Sequence, residues 1–222
     1  MLILDYGMKN GMNVSKMKQK ASKHSKIQNR KYQAVVIGVS AGGLKALKTI
    51  LLSLPSDFAY SIIIVAHRHS DSDDYLEQSL NSECEIRVKQ ADEKEDISGG
   101  VVYIAPPNYH LLIEDDNTFS MSVEEAVNYA RPSIDVLFES AAYVYGQELM
   151  GIILTGANND GSEGLKKIKK MGGLAIVQAP ETAEVGDMPR AAIAAVEPDY
   201  ILPLEEIGSF LRNLNLEEGS EG

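Results

Sequence analysis

One cysteine, four histidines and no run of 18 consecutive apolar residues are the shortages that bound this 222-residue chain. The lone Cys84 excludes an internal disulfide framework and suits a reducing compartment. Its neighbours alternate in Cys84-Glu85-Ile86-Arg87-Val88, which predicts a strand residue rather than a catalytic thiol. Without a long apolar run there is no candidate membrane-spanning helix. No apolar block with a small-residue cleavage site opens the chain, so no export signal is expected and the chain reads as cytoplasmic. There is no H-E-x-x-H, and His67 and His69 stand only two apart, so no metal or other cofactor is called for. Any general base among the histidines must be His24, His67, His69 or His110.

Charge is divided unevenly. Residues 1–31 carry eight Lys or Arg against Asp5 alone, whereas the rest carries 13 basic and 31 acidic side chains. So acidic a body does not bind nucleic acid over a broad face. The basic segment suits either a solvated tail or contact with an acidic partner or membrane surface. Three segments follow: a basic, flexible 1–32, a catalytic-size domain over 33–214, and an acidic disordered tail over 215–222.

From Tyr32 onward the pattern is regular. Buried strands are expected at 34–39, 61–66, 85–90, 101–104, 149–154, 174–177 and 200–202, with a hairpin over 109–113 and 118–122. Helices are expected after residue 43, near 74–81, from 134, over 162–171, over 190–196 and over 204–214. The alternation argues for an α/β fold: an open, mostly parallel sheet with helices on both faces and a small hairpin excursion.

Gly38-x-Ser40-x-Gly42 follows the first strand and opens the first helix, the pattern of a nucleophile elbow. A phosphate-binding turn competes, since Gly38 and Gly43 hold the outer positions of G-x-G-x-x-G; a merely structural turn is the third reading. Ser40 in place of the second glycine, and no acid at 58–66 for a ribose, weigh against a dinucleotide. His67 ends the second strand, on the carboxyl edge where open α/β sheets build their sites, and His69 is the secondary candidate base. His110 either lines a substrate cleft or bonds locally. Asp160, in a polar loop after an apolar strand, is either the acid partner of a histidine or a helix N-cap. The order Ser40, His67, Asp160 disfavours the ordinary lipase or esterase fold, where the histidine comes last.

Seven blocks in one order resemble the catalytic domain of chemotaxis protein-glutamate methylesterases, the CheB type. They are 36–43, 65–67, 102–110, 131–138, 154–161, 188–192 and 201–204, including Val36-Ile37-Gly38-Val39-Ser40-Ala41-Gly42-Gly43 and Leu154-Thr155-Gly156-Ala157-Asn158-Asn159-Asp160-Gly161. The resemblance implies a Ser40-His67-Asp160 triad, with Ala41 and Ala157 backbone N–H groups as the oxyanion hole. It also implies a substrate, the γ-methyl ester of glutamates on the cytoplasmic helices of chemoreceptors, with deamidation of receptor glutamines as a further activity. His110 and Arg190 are candidate substrate contacts, Arg190 toward an acidic receptor surface or else toward local carbonyls. A non-catalytic receptor-binding protein of the same fold and a general small-ester carboxylesterase are the alternatives.

The chain departs from the family pattern in three ways. About 32 residues precede the resemblance where the family commonly has a receiver domain, so control by an attached receiver is not expected. Ala157 and Asn158 stand where Met and Gly are common. Asp187 precedes Met188-Pro189 where a small uncharged residue is usual.

Overall fold

The computed structural model describes residues 31–68 and 75–218. The basic segment through residue 30 with His24, the candidate base His69 and residues 219–222 lie outside them.

Two fully buried, β-branched-rich strands form the centre: β1 (Ala34–Val39) and β2 (Ser61–Ala66). Apolar runs of this length, covered on both sides, suit parallel pairing. The chain continues through β3 (Arg87–Gln90) and β4 (Val101–Ile104), then a separate antiparallel hairpin of β5 (His110–Ile113) and β6 (Phe119–Ser122). It returns to the sheet with β7 (Leu149–Ile153), β8 (Leu174–Gln178) and β9 (Tyr200–Leu202). The sheet order is β3-β4-β2-β1-β7-β8-β9, and all of its pairings are parallel.

Among the described residues six α-helices connect and cover the strands: α1 (Gly43–Leu51), α2 (Tyr75–Glu83), α3 (Ile134–Tyr145), α4 (Ser162–Lys170), α5 (Asp187–Ala195) and α6 (Leu204–Glu218). On one face Val36, Ile63, Val65 and Ile153 pack with Ile134, Leu137 and Phe138 of α3, Leu165 and Ile168 of α4, Met188 of α5, and Leu111 and Phe119 of the hairpin. Helices α1 and α6 pack against each other apart from that layer. The direction of winding reverses at β1, between β2 on one side and β7 on the other. Such a switch point leaves a crevice outside the carboxyl ends of the strands.

Some element ends differ from expectation. Cys84 closes α2 rather than opening a strand: its N–H donates to the Leu80 carbonyl, and β3 begins only at Arg87. Helix α5 starts at Asp187, not 190, with Pro189 inside its first turn. A proline is tolerated there because first-turn N–H groups have no intrahelical partner. Helix α6 runs to Glu218, past the expected 214.

Candidate active site

Ser40 is the first residue beyond β1, and the next turn starts α1. Its N–H donates to the Thr155 carbonyl at 2.9 Å, and its own carbonyl accepts from Gly43 N–H at 2.9 Å. The turn needs a residue without a β-carbon at Gly42, where φ is 78°. A Cβ there would also lie 2.7 Å from the Glu184 Cβ, so Glu184 rests directly on the turn. Thr155 ties the turn to the 183–187 loop: its Oγ1 donates to the Ala41 carbonyl at 2.8 Å and accepts from Val185 N–H at 2.9 Å.

His67 occupies the equivalent position beyond β2. The parallel register pairs Val39 with Ala66, so Ser40 and His67 leave adjacent strand ends side by side. His67 N–H donates to the Val39 carbonyl at 3.0 Å. Its ring Nε2 lies 2.8 Å from Asp160 Oδ2, and its Nδ1 lies 3.2 Å from the Asn158 amide nitrogen. Among the described residues no hydrogen bond joins the Ser40 hydroxyl to the His67 ring.

Asp160 is fully buried, in the loop after β7. It does not cap the helix that follows it; α4 has Gly161 at its N-cap. Instead it caps α3 from another segment. Ile134 N–H donates to Oδ2 at 2.7 Å and Asp135 N–H to Oδ1 at 3.2 Å, while Ser133 Oγ and Asn128 Nδ2 donate to Oδ1 at 2.8 and 3.1 Å. Burial works against the charge of this carboxylate. The bonds from His67, Ile134, Asn128 and Ser133, with the positive end of the α3 dipole, outweigh it and hold the carboxyl below its ordinary pKa. The approach of α3 depends on Gly38 in β1, where a Cβ would lie 2.4 Å from Ile134 Cγ2.

Ala41 and Ala157 are exposed, and their N–H groups donate to no acceptor among the described residues. The two other candidates separate. His110 is only 2% exposed; its Nδ1 accepts from Ser133 N–H at 3.2 Å and its Nε2 lies 3.1 Å from the Glu125 carbonyl. Both ring nitrogens bond backbone groups, at Ser133 and Glu125, which favours the local role that the sequence left open for His110. Arg190 is exposed, packs over Gly186 and pairs with Asp187 at 3.3 Å.

Sequence reasoning missed Asn128, Ser133 and Asp135 as parts of the site. Ser133 and Asp135 lay inside a recognised block, but nothing marked their contact with residue 160. Asn128 carried no signal: at φ 51°, beside Tyr129 at φ 63°, it makes a tight turn and bridges Asp135 Oδ2 and Asp160 Oδ1. Nor did it show that Arg68, next to His67, forms a two-point ion pair with Glu77 at 2.6 and 2.9 Å. Cys84 is half-buried, and burial raises its thiol pKa, as befits an unreactive side chain.

A serine at a strand-to-helix turn, a histidine on the neighbouring strand end and a charged, buried carboxylate behind it suit acyl transfer. The comparisons with known proteins agree. The CheB methylesterase family model matches residues 35–211. A relative from Leptospira interrogans is 57% identical over 190 residues, 84% of this chain and 98% of that protein. The protein-glutamate methylesterase/protein-glutamine glutaminase of Geobacillus kaustophilus is 40% identical over 190 residues, 83% of this chain and 54% of that longer protein. Among solved structures, the Thermotoga maritima CheB methylesterase catalytic domain superimposes with a TM-score of 0.80 at 34% identity, covering 83% of this chain and all of that one. By a match that takes in both strand ends of the site and the Asp160 loop, this chain belongs to the CheB methylesterase family.

Proposed function

We propose that Ser40, His67 and Asp160 are the nucleophile, base and orienting acid of a protein-glutamate methylesterase acting on chemoreceptor helices. Ser40 Oγ attacks the γ-carbonyl carbon of a methylated glutamyl side chain while His67 takes its proton. The carbonyl electron pair moves to the oxygen, which the Ala41 and Ala157 N–H groups stabilise. His67 then returns the proton to the departing methoxy oxygen, releasing methanol. Water, activated by the same ring, cleaves the acyl-enzyme to the free carboxylate. A glutamine side chain follows the same course with ammonia leaving, which is the second activity named for the Geobacillus relative. Arg190, exposed and paired with Asp187, would meet acidic groups of the receptor.

The observation that carries this reading is the 2.8 Å His67–Asp160 bond at the strand end adjoining Ser40, with a carboxylate that five donors keep charged. The test is methanol release from methylated receptor fragments by wild type and Ser40→Ala. The variant should lose turnover by about three orders of magnitude or more; wild-type release from Ser40→Ala would overturn the mechanism. Equal turnover of simple methyl esters and receptor protein would remove the receptor from the assignment.

A further inference from the structure

The side chain of Asn158, in the loop after β7, reaches the ring of His67. Its Oδ1 accepts from the Asp160 backbone N–H at 3.2 Å, a local turn of the kind Asn forms two residues ahead of a donor. That bond fixes which way the carboxamide faces, so the nitrogen 3.2 Å from His67 Nδ1 is the NH2 group. An NH2 group only donates, and therefore Nδ1 must present its lone pair. A neutral imidazole accepts through one nitrogen and donates through the other. The proton thus lies on Nε2, directed at Asp160 Oδ2 at 2.8 Å. Asp160 N–H to Asn158, Asn158 to His67, and His67 back to the Asp160 carboxylate form one closed circuit with a single consistent direction.

We infer that Asn158 is a positioning residue that selects Nδ1 of His67 as the proton acceptor and covers its lone pair until Ser40 takes its place. The inference rests on the reading of Ser40 as nucleophile and His67 as base. During attack the Ser40 proton moves to Nδ1, which becomes an N–H donor. Two donors would then face each other, so the carboxamide must turn away before or during the transfer. Asn158 is half-buried at the surface of the site, which leaves it room to do so. Its bond is therefore made in the resting enzyme and lost in the transition state, the arrangement that slows a chemical step.

Two near-isosteric changes separate this role from support of the loop. Asn158→Ser keeps an oxygen able to accept the Asp160 N–H but is too short to reach His67. Asn158→Asp keeps the size and the turn but puts a carboxylate opposite Nδ1 while Asp160 still faces Nε2, which favours a second ring proton on Nδ1 and removes its lone pair. The experiment is the rate of Ser40 labelling by a serine-directed phosphonate in the full chain, with melting temperatures measured alongside. Asn158→Ser should label about fivefold faster, the equivalent of roughly 1 kcal/mol for one lost hydrogen bond. Asn158→Asp should label about 10- to 100-fold more slowly. Nitrogen-15 NMR of the wild-type ring should show the proton on Nε2. A structural role alone would lower melting temperature and slow both variants together. Asn158→Ser no faster than wild type, Asn158→Asp unchanged, or a wild-type proton on Nδ1 would each overturn the inference. Labelling that persists in Ser40→Ala would instead overturn the serine assignment.

Discussion

At the scale of single residues, the site is a problem of keeping one buried carboxylate charged beside another. Asp160 and Asp135 share the amide of Asn128, and Asp135 also accepts Gly164 N–H at 2.7 Å. Asp160 has the greater number of donors and keeps its charge. Burial first, and then the charge of Asp160, push Asp135 up to about 6, against the pull of the Gly164 N–H and Asn128. The consequences for stability have opposite signs. Asp160, with a lowered pKa, stabilises the fold above the unfolded value near 4 and loses that contribution as pH falls below it. Asp135, with a raised pKa, costs the fold nothing below about pH 4, and its ionisation destabilises the fold as pH rises through about 6, by at most about 3 kcal/mol. Relative to Asp135→Asn, the wild type should therefore lose melting temperature between about pH 4 and 6.5 and then level off. A gap that stays constant across that window would show that Asp135 does not titrate there. None of this was legible in sequence, because residue 160 lies 32 and 25 positions beyond residues 128 and 135, and each is an ordinary polar residue in its own neighbourhood.

At the scale of elements, three segment ends have to meet: those of β1, β2 and β7. Parallel register brings all three together, since β1 pairs with both β2 and β7, and the N-terminus of α3 then fixes the loop beyond β7 by offering N–H groups to Asp160. The β2 end has a further anchor, since Arg68 follows His67 and grips Glu77 of α2, with side-chain exposures of 11% and 6%. A pair so well shielded stabilises little compared with an apolar substitute, but breaking it leaves a buried charge. Glu77→Ala should cost about 3–5 kcal/mol in urea unfolding and loosen His67, while Arg68→Met with Glu77→Leu should recover most of that stability. A single variant within about 1 kcal/mol of wild type would show that solvent already screens the pair. The strands and most helices were readable from apolar periodicity. The α5 start was not, because Pro189 reads as a boundary when it sits in fact inside a first turn.

At the scale of the whole molecule, every site contact found among the described residues comes from within the family match, beginning at Gly38. Tyr32 is buried, and Gln33 N–H donates to the Glu148 carbonyl at 2.9 Å, so the sheet takes its place from these residues onward. Removing residues 1–31 should therefore leave the fold intact and change methanol release only modestly. A large rise would identify the basic segment as an inhibitor of the acidic body, and complete loss would make it part of the working surface. The sequence by itself determined the α/β alternation, the serine at the first strand-to-helix turn and the polar loop after β7, because apolar period and turn chemistry are local properties. Motif order was enough to nominate Ser40, His67 and Asp160 together. Only the tertiary structure decided that Asp160 caps α3 rather than its own helix, that both ring nitrogens of His110 bond the backbone, and that Asn158 sits on the His67 ring. Each of these depends on a hydrogen bond whose direction or partner is fixed by how separate segments pack, and no local pattern in the chain records that.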